Sequence, residues 1–287
     1  MFRMSLDNLG GIYASASVVV VFGDSTISPL PERWRPHFER IVVHHADPDD
    51  YIARSYSAQA DARWTVVPGD CDFAIMSDAD TMVLRPFDDL LVRLVAEPGI
   101  AGTIAHFPFP QYPGELPTEK WASLAREWLG RELPLDYEHS LARAADPDFR
   151  RTCPFYLNQA FVVVPRPMVD VLSPTHRWLV PRVAPQLSDP FYRGQVALTL
   201  AVHTHDVTRH AIDIKYNFPN DRLAEELYPA SMHDLRVIHY LRTDHFDRQQ
   251  IFATAEAFER FLALHLTGSE LQFQDHVRQL TGGQYPF

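Results

Sequence analysis

At 287 residues the chain is long enough to bury a large core, as one elaborated α/β domain or as two small ones. A net charge of −11 argues against nucleic acid, or an anionic membrane surface, as the main partner. The two cysteines, Cys71 and Cys153, have no metal-ligand spacing and make no disulfide framework, so a reducing, cytoplasmic setting is expected.

Residues 1–14 lack a basic segment followed by a long apolar run, so no signal peptide is evident. The run Val18-Val19-Val20-Val21-Phe22 is far too short to span a bilayer and reads as a first central strand, ended by Gly23-Asp24-Ser25. Ile41-Val42-Val43-His44-His45 reads as a second strand. Residues 49–67 follow as a helix, with Ile52, Tyr56, Ala60, Trp64 and Val67 three or four residues apart. The next apolar stretch, Phe73-Ala74-Ile75-Met76, reads as a buried strand running into Ser77-Asp78-Ala79-Asp80 and then Thr81-Met82-Val83-Leu84. A helix is expected from about Pro86 through Leu94, a strand over 99–105, and a helix over 118–128.

Between these helices lies a Pro/aromatic loop, Phe107 to Pro113, of the kind that builds binding walls. An acidic, disorder-leaning connection follows over 134–148. Strands are expected at Ala160 to Pro165, introduced by Asn158-Gln159, and at Arg236 to Leu241; a buried helix is expected over 194–202. Two amphipathic helices close the chain, over 251–266 and 269–280. Strands alternating with helices give an α/β domain with a mostly parallel central sheet, flanked by helices, whose ligands bind at the carboxyl ends of the strands.

Asp78 and Asp80 carry the chemistry of this pattern. Alternate residues of a strand share a face, so both carboxylates point the same way if strand geometry continues. A buried pair of anions is costly without compensation. A divalent cation such as Mn²⁺ or Mg²⁺ supplies it and bridges to a diphosphate. The plainer reading is a helix cap or solvated turn.

The order of an Arg-bearing helix, Asp78-Ala79-Asp80, Asn158-Gln159-Ala160-Phe161-Val162, Gln195-Val196-Ala197-Leu198 and Ile238-His239 resembles the GT-A glycosyltransferases, most closely family 8. The resemblance spans roughly residues 17–245 and implies a GT-A, Rossmann-like nucleotide-diphospho-sugar transferase fold for the whole chain 1–287. Residues 15–105 would form the nucleotide-sugar half, 106–245 the acceptor side and 246–287 the C-terminal helices. Carried over by position, it implies Asp78, Asp80 and His239 as ligands of Mn²⁺ (or Mg²⁺). Asn158 and Gln195 would contact the donor sugar, with Gln195 near the anomeric carbon, and Arg63 the donor sugar or phosphates. Arg242 stands in for a lysine that grips phosphate, and Asp24 sits where nucleotides dock.

Two departures stand out. The family usually has Asp where this chain has Gly194, and a glycine soon after the late histidine where this chain has Tyr240-Leu241. The implied reaction moves a sugar, with retention, from a nucleoside diphosphate sugar (UDP by resemblance) to a saccharide, small-molecule or protein acceptor.

Each residue also has a plainer reading: His239 as a core histidine, Gln195 and Asn158 as turn or solvent amides, Arg63 as a surface ion pair, Asp24 as a turn residue. Two other classes compete. A haloacid-dehalogenase-type phosphatase would use Asp78 as nucleophile, but it needs threonine two positions after the second aspartate, where Met82 stands. A non-catalytic nucleotide-sugar-binding protein would keep the fold without turnover.

Overall fold

The structure, a computed structural model, describes residues 1–22, 35, 38, 40–43 and 61–287. Eleven strands are present among the described residues: β1 (Val19–Phe22), β2 (Arg40–Val43), β3 (Phe73–Ser77), β4 (Thr81–Val83), β5 (Ile100–Ile104), β6 (Tyr137–Glu138), β7 (Thr152–Cys153), β8 (Leu157–Pro165), β9 (Arg209–Ala211), β10 (Phe218–Pro219) and β11 (Val237–His239). The chain divides into two compact units. The first takes residues 1–16, 77–91 and 213–287; the second takes 17–76 and 92–212.

The second unit is built on a four-stranded sheet of order β3-β8-β5-β9. Its centre is the apolar run Phe161 to Val164 of β8, fully buried, beside β5, all five of whose residues are buried. Runs of this kind are what strands covered on both faces require. β5 is antiparallel to β8 and parallel to β9, and β1 lies parallel to β2 in a separate pair. The sheets are therefore mixed. The α/β class stands; of the mostly parallel sheet read from the strand-helix alternation, the β5–β9 pairing matches the expectation and the β5–β8 pairing departs from it.

Helix Arg193–Thr204 buries almost its whole length against β8, helix Arg166–Val183 and helix Pro117–Leu129. Helix Arg166–Val183 was not foreseen, although Val169, Leu172, His176, Leu179 and Val183 recur on one buried stripe. The acidic 134–148 connection was read as leaning toward disorder. It holds β6, paired with β7, and is pinned by the buried Leu141 and by His139, whose Nδ1 donates to the Ala105 carbonyl at 3.0 Å.

The first unit centres on a three-stranded sheet of order β10-β11-β4, β11 parallel to β10 and antiparallel to β4. Its core joins Met82 and Ile238 of the sheet to Tyr240, Phe246, Ile251, Phe258, Phe261, Phe273 and Val277. The last four come from helices Ala255–Leu262 and Gly268–Thr281, close to their expected places. Tyr240 stacks on Phe273 with ring centres 4.4 Å apart. Helix Phe2–Leu9 lies beside β4, where Ser5 Oγ accepts from the Val83 amide at 3.3 Å.

The expected helix over 49–67 falls largely outside the described residues; within them, Arg63–Thr65 form a single 3₁₀ turn.

Candidate functional site

Asp78, Ala79 and Asp80 do not continue β3. They form a tight turn between β3 and β4, a correction to the strand-end geometry inferred from the i, i+2 spacing. Thr81 fixes this turn, its Oγ1 donating to the Asp78 carbonyl at 2.8 Å and lying 2.5 Å from Ser77 Oγ. The residue after β11 closes it from the other side. The Tyr240 amide donates to the Asp80 carbonyl at 3.0 Å, and the Tyr240 hydroxyl to the Ala79 carbonyl at 3.2 Å. Because His239 sits opposite Thr81 in the β4–β11 ladder, its ring is set beside the turn.

The outcome is a three-residue group. Ligand atoms of Asp78, Asp80 and His239 all lie within 4.8 Å of one another, with His239 Nε2 3.4 Å from Asp80 Oδ1. His239 is buried, and its Nδ1 has no hydrogen-bond partner. Two carboxylates and one imidazole, whose Nε2 faces Asp80, make a donor set that fits a divalent cation of the Mn²⁺ or Mg²⁺ kind. Burial pushes the Asp80 carboxyl up, but the hydrogen bond and charge of His239 and the charge of Arg248 outweigh it. The group is held below the usual carboxylate range.

Arg248, which sequence reasoning missed, pairs through Nη1 with Asp80 Oδ2. It stands 168 residues from its partner, and nothing in its local sequence marks it. Arg242, the expected phosphate residue, gives Nη2 and Nε to Asp221 Oδ2 at 2.6 and 2.8 Å. Asn220 fastens this turn: its Oδ1 accepts from the Arg242 amide at 2.8 Å, and its Nδ2 donates to Glu270 at 3.1 Å.

The second unit brings Arg63, Asn158 and Gln195 into one neighbourhood. Arg63 Nη2 donates to the Gln159 carbonyl at 2.9 Å, and Gln159 Nε2 to the Gly194 carbonyl at 3.1 Å, one residue from Gln195. Asn158 Oδ1 accepts from the Ala160 amide at 3.0 Å.

Two unforeseen residues complete the cluster. Asp61 Oδ2 takes a hydrogen bond from Arg193 Nε at 3.1 Å, while its buried Oδ1 has no hydrogen-bond partner. Burial pushes the Asp61 carboxyl up to about 7, against the charges of Arg193 and Arg63. His176 donates from Nε2 to the Gly194 carbonyl at 3.1 Å, and burial holds it down at about 4. A lone Asp and a helical His gave no sequence signal. Asp24 lies outside the described residues.

No protein-family model matches the chain, and no curated protein matches it in sequence. Among solved structures it is similar to mouse xyloside xylosyltransferase 1 in its apo form, at 14% identity and a TM-score of 0.38, covering 70% of this chain and 75% of that one. It is also similar to the apo structure of WbbM, a bifunctional glycosyltransferase, at 12% identity and a TM-score of 0.49. That match covers 99% of this chain, which spans 49% of the WbbM chain. Among the described residues no helix is long and apolar enough to cross a membrane.

Proposed function

We propose that the chain is a metal-dependent glycosyltransferase of GT-A-like fold. It moves a sugar, with retention, from a nucleoside diphosphate sugar (UDP by the resemblance) to a saccharide, small-molecule or protein acceptor. The observation that carries this reading is the convergence of Asp78, Asp80 and His239, with ligand atoms within 4.8 Å of one another. The two solved structures described above are named as a xylosyltransferase and a bifunctional glycosyltransferase; with TM-scores of 0.38 and 0.49, the reading rests on the triad.

The physical case is one of charge. As the bond from the anomeric carbon to the diphosphate breaks, negative charge grows on the leaving oxygen, and a group that neutralises it there lowers the barrier. A divalent cation bound to the triad supplies that neutralisation. Asp78 and Asp80 hold the cation with His239, and the Thr81 and Tyr240 hydrogen bonds keep the turn shaped for it before any ligand arrives. The resemblance, and not the geometry, assigns the donor sugar to Asn158 and Gln195, the sugar or its phosphates to Arg63, a phosphate to Arg242 and the nucleotide to Asp24.

The test is calorimetric titration with a panel of nucleoside diphosphates, with and without Mn²⁺. Binding of one nucleotide only in the presence of metal supports the proposal and names the donor class. No binding in either condition sinks it. The Asp80→Asn variant is expected to lose metal-dependent binding by at least about tenfold while its melting temperature stays near wild type.

A further inference from the structure

Asp80 is shared between two partners. Its Oδ1 lies 3.4 Å from His239 Nε2, on the triad side, and its Oδ2 is paired with Arg248. Arg248 is not a loosely held surface residue that happens to reach this carboxylate. It rides on a short turn between Phe246 and Ile251, both buried in the core of the first unit. Asp247 closes that turn, its Oδ1 accepting from the Gln249 amide at 2.8 Å and its carbonyl from the Gln250 and Ile251 amides at 2.9 and 3.0 Å. The Arg248 side chain is still 32% exposed, which leaves guanidinium surface for an incoming anion.

The charges then decide the behaviour. Two carboxylates balance a divalent cation. With the permanent charge of an arginine added, the same site carries an excess positive charge once a cation is bound. Like charges at this range repel appreciably in a partly buried setting. A diphosphate removes the excess, because its oxygens can meet the cation and the guanidinium together. We propose that Arg248 makes cation binding at Asp78, Asp80 and His239 conditional on a diphosphate: the residue weakens the hold on the bare ion and strengthens it once the nucleotide is present. The inference rests on the metal and nucleotide reading above. It adds that one arginine carries the coupling between the two ligands, which by linkage is the same in both directions.

The experiment measures Mn²⁺ binding by electron paramagnetic resonance, with Mn²⁺ alone and with uridine diphosphate, on wild type and on Arg248→Gln and Arg248→Lys. In wild type the nucleotide is expected to tighten Mn²⁺ on the order of tenfold. In Arg248→Gln the bare ion binds several-fold tighter than in wild type, and the nucleotide's effect falls to about twofold or less. Arg248→Lys keeps the charge and the weak bare-ion binding. Arg222→Gln, the same charge change on a side chain that is 90% exposed, behaves as wild type.

Bare-ion binding in Arg248→Gln that is unchanged or weaker, with the nucleotide effect intact, overturns the inference while leaving the metal reading in place. Absence of Mn²⁺ binding in both wild type and Arg248→Gln overturns both. Mn²⁺ binding that the nucleotide leaves unchanged in both proteins overturns the coupling and leaves the ion-binding triad standing.

Discussion

Gly194 is a glycine because its missing side chain is already replaced by another residue's oxygen. A Cβ built there would lie 2.2 Å from Asp61 Oδ1, and the carboxylate is held in place by Arg193. Gly194→Ala is therefore expected to destabilise the fold by about 1–3 kcal/mol, the usual range for overpacking. The cost should largely vanish in an Asp61→Ala background, a non-additivity that a double-mutant cycle of urea melts would read.

The same neighbourhood shapes the pH response. Asp61 has a folded value of about 7, above its ordinary 3.8. It contributes stability that is full below about pH 4 and lost as pH rises through 7. His176, at about 4 against an ordinary 6.5, has the opposite sign: its contribution is present above 6.5 and lost as pH falls toward 4. The two partly cancel in wild type. In Asp61→Asn the cancellation ends, so melting temperature should fall more steeply on acidification from pH 6.5 to 4 than in wild type; an unchanged slope would refute the Asp61 assignment. At this scale the sequence showed only what a contiguous motif can show. Asp78, Asp80 and His239 came with recognisable neighbours, whereas Asp61, His176 and Arg248 acquire their surroundings only through long-range contacts.

Elements were legible where periodicity was uninterrupted. The apolar runs that became β5 and β8, and the stretch that became helix Arg193–Thr204, bury nearly every residue, and that is what the unbroken runs demanded. Helix Arg166–Val183 carries an equally regular buried stripe, but Pro174 and Pro181 lie inside it and read locally as breakers. Packing against helix Arg193–Thr204 and β8 outweighs that local cost. For Asp78–Asp80 the sequence left both a continued strand and a solvated turn open; the turn is what forms, and the Thr81 and Tyr240 hydrogen bonds that shape it come from residues on either side of a sheet pairing.

The C-terminal helices offer a direct measure of what holds the first unit. Thr254 Oγ1 accepts from the Ala257 amide at 3.2 Å at the head of helix Ala255–Leu262, and Thr254→Ala should cost about 1 kcal/mol. Phe258, fully buried in the same core, should cost about 3–5 kcal/mol as Phe258→Ala. Denaturant melts of the two variants would rank cap against core.

Across the whole molecule, the alternation of strands and helices gave the α/β class and length left one domain or two open; the bounds of the two compact units were not visible because neither is continuous in sequence. The first unit is assembled from residues 1–16, 77–91 and 213–287. That has a consequence for the order in which the protein is made. During synthesis Asp78 and Asp80 emerge well before His239 and Arg248, and the buried faces of Met82 and Ile238 wait for Phe258, Phe261, Phe273 and Val277 to cover them. A nascent chain released after residue 245 would hold all three triad residues yet lack the core that positions them. It should bind no Mn²⁺ and expose apolar surface to a hydrophobic dye. On the metal reading proposed above, Mn²⁺ binding is expected only in chains that extend through helices Ala255–Leu262 and Gly268–Thr281, which complete the core around Met82 and Ile238.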